Sequence, residues 1–165
     1  SQNFMLNFNI QSFFKIVLII SVFSIVSAFY IEYILGHQPC NLCLIERIPY
    51  ILSIFLIVLN HIFIKKDKFL IILLFITFIA SFIISIYHFG IEQGFFNEST
   101  ICGVKNTNGI ISKEELLKQL NEKIISCKDV TFRILGFSLS SINIILSFVI
   151  ICLLLRFYVI YEKIK

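Results

Sequence analysis

Gln38-Pro39-Cys40-Asn41-Leu42-Cys43-Leu44-Ile45-Glu46-Arg47-Ile48-Pro49 lies where a short polar turn runs into a long apolar stretch. Two thiols three residues apart, Cys40 and Cys43, stand at that boundary, and Arg47 follows one turn further in. Pro39, with its fixed φ and missing N–H, favours a helix opening at this point. Cys40, Cys43 and Arg47 then fall at i, i+3 and i+7 and share one helix face. A thiol at a helix N-terminus with a guanidinium below it is favoured as thiolate by the helix dipole and the fixed charge. Charge within an apolar span is costly and usually functional. A dithiol at a membrane boundary beside such a cation reads as redox chemistry.

The regions on either side are apolar. The 165 residues are 58% hydrophobic, with 19 Phe and no Trp, and the mean hydropathy is +0.95. A soluble domain could not keep that much apolar surface from water. Apolar runs cover residues 13–35, 44–64, 69–89 and 134–158. Each is long enough to cross a hydrocarbon core of about 30 Å. The pattern predicts an all-α membrane protein, one domain over residues 1–165, built as a bundle of four transmembrane helices. Residues 1–12 read as a short polar-leaning tail. Val26-Ser27-Ala28 resembles a signal-peptide cleavage site, but the positive flank before it is weak and the apolar run continues beyond it, so a retained span is expected. Pro49 cannot donate to the carbonyl of Ile45, which predicts a kink or freed carbonyl just below the cysteines.

Charge orients the bundle. Lys65, Lys66 and Lys68 lie between the second and third runs, and Arg156, Lys163 and Lys165 flank the end of the fourth. The excess of basic residues predicts that these ends, and both termini, are cytoplasmic. The segment 90–133 carries six basic and six acidic residues and offers no opposing bias. The turn with Cys40 and the long loop with Cys102 and Cys127 then face outward together. The net charge of +4 comes from residues clustered at the ends of apolar runs, with no basic stripe suited to nucleic acid. In the loop, Ser112-Lys113-Glu114-Glu115 has the form of a capping box. Leu116, Leu117, Leu120 and Ile124 follow on one face, predicting a short amphipathic helix packed on the bundle mouth or lying in the membrane interface. Cys152, in the fourth run, reads as a small packing residue.

Gln38 to Arg47, then Tyr87-His88 closing the third run, then Cys102, Cys127 and Leu135-Gly136-Phe137-Ser138, resemble the disulfide bond formation protein B (DsbB) family across nearly the whole chain. A lone CxxC is weak. The same motif followed by an arginine at the head of span two, with two loop cysteines between spans three and four, is specific. The resemblance implies a bacterial inner-membrane bundle that reoxidises a periplasmic DsbA-like thioredoxin-fold protein and passes the electrons to a quinone, ubiquinone or menaquinone. It implies that the partner's thiolate attacks Cys102, that Cys127 is the resolving thiol, that Cys40 exchanges with the loop pair and that Cys43 faces the quinone. Arg47 and His88 would bind the quinone.

Other readings exist for each feature. Cys102 and Cys127 could form a structural staple. The CxxC could be half a zinc site with His37, but structural zinc thiolates come as four-ligand sets, and no metal is expected. Arg47 could snorkel or pair with Glu46 or Glu32. A vitamin K epoxide reductase-like oxidoreductase also pairs a CxxC with loop cysteines, but there the loop pair comes first in sequence. A non-enzymatic membrane subunit with stapled loops leaves Arg47 beneath the thiols unexplained.

Overall fold

The computed structural model describes residues 2–98, 102, 126–128 and 132–164. Helix α1 (Gln2–Phe29) widens into a π-type turn at Tyr30–Ile34. A short α2 (Asn41–Ile45) leads into α3 (Ile48–Leu59), which ends in a second wide turn at Asn60–Ile64. Helix α4 (Asp67–Glu92) follows. Two antiparallel strands, β1 (Arg133–Ile134) and β2 (Phe137–Ser138), precede α5 (Leu139–Ile164). Four stretches, Ile10–Ile34, Asn41–Ile64, Asp67–Glu92 and Leu139–Lys163, are long and apolar enough to cross a membrane. The chain is a multi-pass membrane bundle. The Ser112 capping box and the amphipathic helix expected after it lie outside the described residues.

Several boundaries differ from the sequence reading, each for a local reason. The first helix begins at Gln2 and includes the expected tail; neither Pro nor Gly occurs before Gly36 to stop it. Helix α2 opens at Asn41, with Cys40 as its N-cap and Pro39 outside it. The break anticipated from Pro49 falls at Glu46–Arg47, and Pro49 lies in the first turn of α3, where its missing N–H costs nothing. Helix α4 continues one turn beyond Tyr87-His88 to Glu92. Gly90 within that turn admits the ring of Phe96, which a Cβ would strike. Gly94, at φ +80°, ends the helix. The fourth span starts at Leu139, because residues 134–138 belong to a hairpin. Its two turn residues, Leu135 (φ +53°) and Gly136 (φ +88°), supply the positive φ pair of a type I′ turn.

The apolar interior joins Ile10, Phe14 and Val17 of α1 to Tyr50 of α3, Leu74 and Phe78 of α4, and Leu154 of α5. Exposed Ile, Phe and Val side chains cover the outside, as the lipid-facing surface of a bundle requires. Because lipid is as apolar as the core, packing and polar contacts must hold the helices together. Buried hydroxyls and amides do so here. Ser21 and Ser53 lie 2.8 Å apart across α1 and α3. Asn143 Nδ2 donates to Ser85 Oγ at 2.6 Å and Tyr50 Oη donates to Asn143 Oδ1, tying α3, α4 and α5. Ser147 Oγ donates to Ser81 Oγ at 3.1 Å. At the opposite end from the cysteines, Asn60 clasps the 65–66 turn by accepting from Lys66 N at 3.0 Å and donating to Asp67 at 3.2 Å. Lys65 takes a left-handed conformation there, at φ +51°.

Candidate functional site

Cys40 has the extended backbone of an N-cap, φ −73° and ψ 168°, and its sulfur accepts from Cys43 N at 3.4 Å. One turn of helix brings Cys43 Sγ to 2.9 Å from Cys40 Sγ, within hydrogen-bonding reach for a thiol–thiolate pair. That contact holds the Cys40 thiol well below its ordinary range. Burial opposes the effect, and the neighbouring His88 reinforces it.

The third span supplies His88 from behind. Its Nε2 lies 3.6 Å from Cys40 Sγ, and its Nδ1 lies 3.0 Å from Glu46 Oε1. Glu92, one turn further along α4, approaches the same Nε2 at 3.6 Å. Its other oxygen accepts from Ser140 Oγ at 2.7 Å. The ring is 3% exposed. Glu46 was anticipated only as a partner for Arg47, and Glu92 was not anticipated. The available signals were the i, i+3 spacing of Cys43 to Glu46 and the i, i+4 spacing of His88 to Glu92.

Arg47 pairs with Glu32 at 2.6 Å, and its guanidinium lies 5.3 Å from the centre of the Phe29 ring. This fixes α1 against the break between α2 and α3. Beside it opens a cavity of about 580 Å³ between α1, α3 and α5, a size typical of small-molecule sites. Cys43, Glu46, Arg47, Tyr50 and Asn143 give it a polar edge, and Ile, Leu and Phe side chains line most of the rest. Cys40 and His88 are not among the lining residues. The Cys40 N-cap position turns its thiol toward α4, whereas Cys43 in the first turn faces the cavity.

Cys102 and Cys127 form a disulfide, with Cα atoms 5.7 Å apart. They are 1% and 2% exposed and share one apolar cluster with Cys40, Leu42 and Ile91. The sequence analysis placed this pair in the long outward-facing loop; its sulfurs are packed onto the bundle end against the first pair. Cys152 also departs from expectation. It is exposed on the outer face of α5 and packs no interior. His37, weighed as a zinc partner of the CxxC, lies tilted against Phe132 with ring centres 5.3 Å apart. The thiols meet His88 instead.

The family model described as Disulfide bond formation protein DsbB matches residues 11–157. A protein of Rickettsia prowazekii (strain Madrid E), described as uncharacterized protein RP370, is 33% identical over 144 residues, covering 85% of this chain and 81% of its own length. No solved structure matches the chain significantly.

Proposed function

Since this chain belongs to the disulfide bond formation protein DsbB family, and so to the membrane oxidoreductases of disulfide formation, we propose that it is a thiol:quinone oxidoreductase of the bacterial inner membrane. It takes electrons from a periplasmic DsbA-like thioredoxin-fold protein through Cys102–Cys127 and delivers them through Cys40–Cys43 to a quinone. Both termini are cytoplasmic and both cysteine pairs periplasmic, following the basic residues at the other end of the bundle.

One observation carries this reading. The two cysteine pairs lie in a single buried cluster, and Cys43 alone of the four faces the cavity. Thiol–disulfide exchange requires a thiolate to reach a disulfide sulfur. The pairs are therefore neighbours on one side, and an apolar acceptor can be met on the other. The partner's thiolate attacks Cys102, Cys127 leaves as thiolate and attacks the Cys40–Cys43 disulfide at Cys40, and Cys43 is released on the cavity side. The partner's second thiolate then closes the partner's own disulfide and expels Cys102, which re-forms the bond to Cys127 and releases Cys40, leaving the Cys40–Cys43 dithiol. Each step breaks one S–S bond and forms another.

The cavity fits a quinone by its chemistry. Its walls are mostly apolar, it opens among the membrane-spanning helices, and Arg47 stands on its edge as a planar donor beside Cys43. A quinone bound there would accept two electrons and two protons from the Cys40–Cys43 dithiol. Glu32 aims the guanidinium. His88 was expected to bind the quinone, and its contacts favour a different role: it holds the Cys40 sulfur ready for exchange with the loop pair.

The test is turnover of the purified protein with a reduced thioredoxin-fold thiol oxidase, supplying ubiquinone and menaquinone in turn. One quinone reduced per partner disulfide formed is the expected result. Arg47→Lys, which keeps the charge and loses the fork, should raise the apparent KM for quinone and slow turnover, while a mixed disulfide through Cys102 still forms. Partner oxidation at the same rate without quinone, or unchanged quinone kinetics in Arg47→Lys, overturns the assignment.

A further inference from the structure

The cluster behind the CxxC has the make-up of a metal site. Cys40 Sγ, Cys43 Sγ and a ring nitrogen of His88 all lie within 4.8 Å of one another. Glu92 Oε1 approaches the same Nε2 that faces Cys40. The three donors come from two elements, the head of α2 and the last turns of α4, and close around one point; Glu92 stands beside the group, against the histidine. Cys40 is 6% exposed, His88 3%, and the Glu92 side chain 5%.

The distances can be compared with a tetrahedral zinc centre. With Zn–S near 2.3 Å and Zn–N and Zn–O near 2.0–2.1 Å, a sulfur–nitrogen edge is about 3.6 Å, a nitrogen–oxygen edge about 3.4 Å and a sulfur–sulfur edge about 3.8 Å. The Cys40–His88 edge is 3.6 Å and so is set without rearrangement. The sulfurs, 2.9 Å apart, must open by about 1 Å to reach the tetrahedral edge. Cys43, on the open cavity side, has room to make that move. Glu46 completes the arrangement. It meets His88 Nδ1 at 3.0 Å, which holds the ring with Nε2 free to ligate, as the carboxylate partners of metal-bound histidines do.

We propose that the dithiol form of this site binds one thiophilic divalent cation of the zinc class on Cys40, Cys43 and His88, with the fourth position left to water, and that the bound ion locks the pair reduced. The two sulfurs ligate as thiolates, so binding releases whatever protons they still carry, with no change of oxidation state. A Cys40–Cys43 disulfide offers no thiolate, so the oxidised protein does not bind the ion in this way. Binding depends only on the residues named; the block on turnover rests on the proposed relay through the same two sulfurs.

The probe is cadmium, whose thiolate complexes absorb in the ultraviolet, with zinc as competitor. The Cys102→Ala/Cys127→Ala chain, reduced and freed of reductant, keeps the two CxxC thiols and leaves Cys152 as the remaining one. One cadmium per chain is expected, displaced by zinc, with Cys40 and Cys43 protected from alkylation and Cys152 not. Glu46→Gln keeps the shape of the group against His88 Nδ1 but loses its charge, and should weaken binding about 10- to 100-fold. His88→Gln should weaken it at least as much. Folding of each variant is checked by its melting transition. Binding of equal strength in a folded Glu46→Gln and a folded His88→Gln, or no protection of the CxxC thiols, overturns the site. In the unmodified protein, stoichiometric zinc should stop quinone-linked turnover, and a chelator should restore it; binding without inhibition overturns the lock. Absence of turnover before metal is added counts against the quinone reading and leaves the cadmium result standing.

Discussion

Cys40 concentrates three effects in one side chain: an N-cap position, a 2.9 Å contact with Cys43 and a histidine behind it. All three favour the thiolate, against burial. An ordinary thiol has a pKa of about 8.5, so its alkylation slows about tenfold for each pH unit below that value. Cys40 in the reduced protein should instead react at a nearly constant rate as pH falls from 8 to 6, read site by site by mass spectrometry. The sign for stability follows. A depressed folded pKa stabilises the fold above the unfolded value and loses that contribution as pH falls through the folded value. The reduced protein should therefore keep its advantage over a Cys40→Ser variant at neutral pH and lose it in acid. A rate for Cys40 that drops tenfold per unit from pH 8 makes it an ordinary thiol and removes its advantage as a leaving group in the proposed relay.

Among elements, α4 is central: it carries His88 and Glu92 to the site and Ser81 and Ser85 to the polar seam with α5. Asn143 joins that seam to α3 by donating to Ser85 and accepting from Tyr50. Replacing Asn143 with Leu leaves a buried phenol and a buried hydroxyl without these partners. Interhelical hydrogen bonds in membranes contribute about 0.6 kcal/mol on average and up to about 1.7 kcal/mol. Losing these two interhelical bonds should therefore destabilise the bundle by about 1 to 2 kcal/mol. Unfolding in mixed micelles measures this. A cycle with Tyr50→Phe shows how much passes through the phenol: coupling near zero would mean that Tyr50 and Asn143 act independently. Both residues also line the cavity, so the same variants test whether the seam shapes the acceptor site.

For the whole molecule, the question is whether the Cys102–Cys127 disulfide works as catalyst or staple. Closing a loop of this length contributes about 3 to 4 kcal/mol in the chain-entropy account. The sequence separation of 25 and the near-complete burial of both sulfurs suit either role. The contact with the Cys40 cluster favours exchange. Cys127→Ala removes the resolving thiol and frees Cys102. Under the relay, turnover is lost, expression is normal, and Cys102 is trapped as a mixed disulfide by a partner that already carries one. Under a staple, the melting temperature falls steeply and turnover survives. Measuring both on one preparation separates the two, and unimpaired turnover with a large drop in melting temperature rules out the relay.

Sequence alone determined the four spans, the CxxC at the head of the second, and the break near Pro49, because these follow from local properties: length and apolarity of runs, ring geometry, and spacing along one helix. Helix ends were read less well. The hairpin at 133–138 depends on positive φ at Leu135 as well as Gly136, and a leucine gives no sign of that conformation. The site divided in the same way. Cys40, Cys43 and Arg47 are near in sequence, and their grouping was legible. Only the packing of α4 against α2 decided that His88 faces Cys40 from behind, held by Glu46, with Glu92 beside it. Only the bundle as a whole decided that Cys102 and Cys127 are buried against the first pair. Contacts between residues 40 or more positions apart depend on how helices rotate and cross. The nearly continuous apolarity of these spans leaves that rotation unmarked in the sequence, because a helix apolar on every side carries no stripe to show which face turns inward.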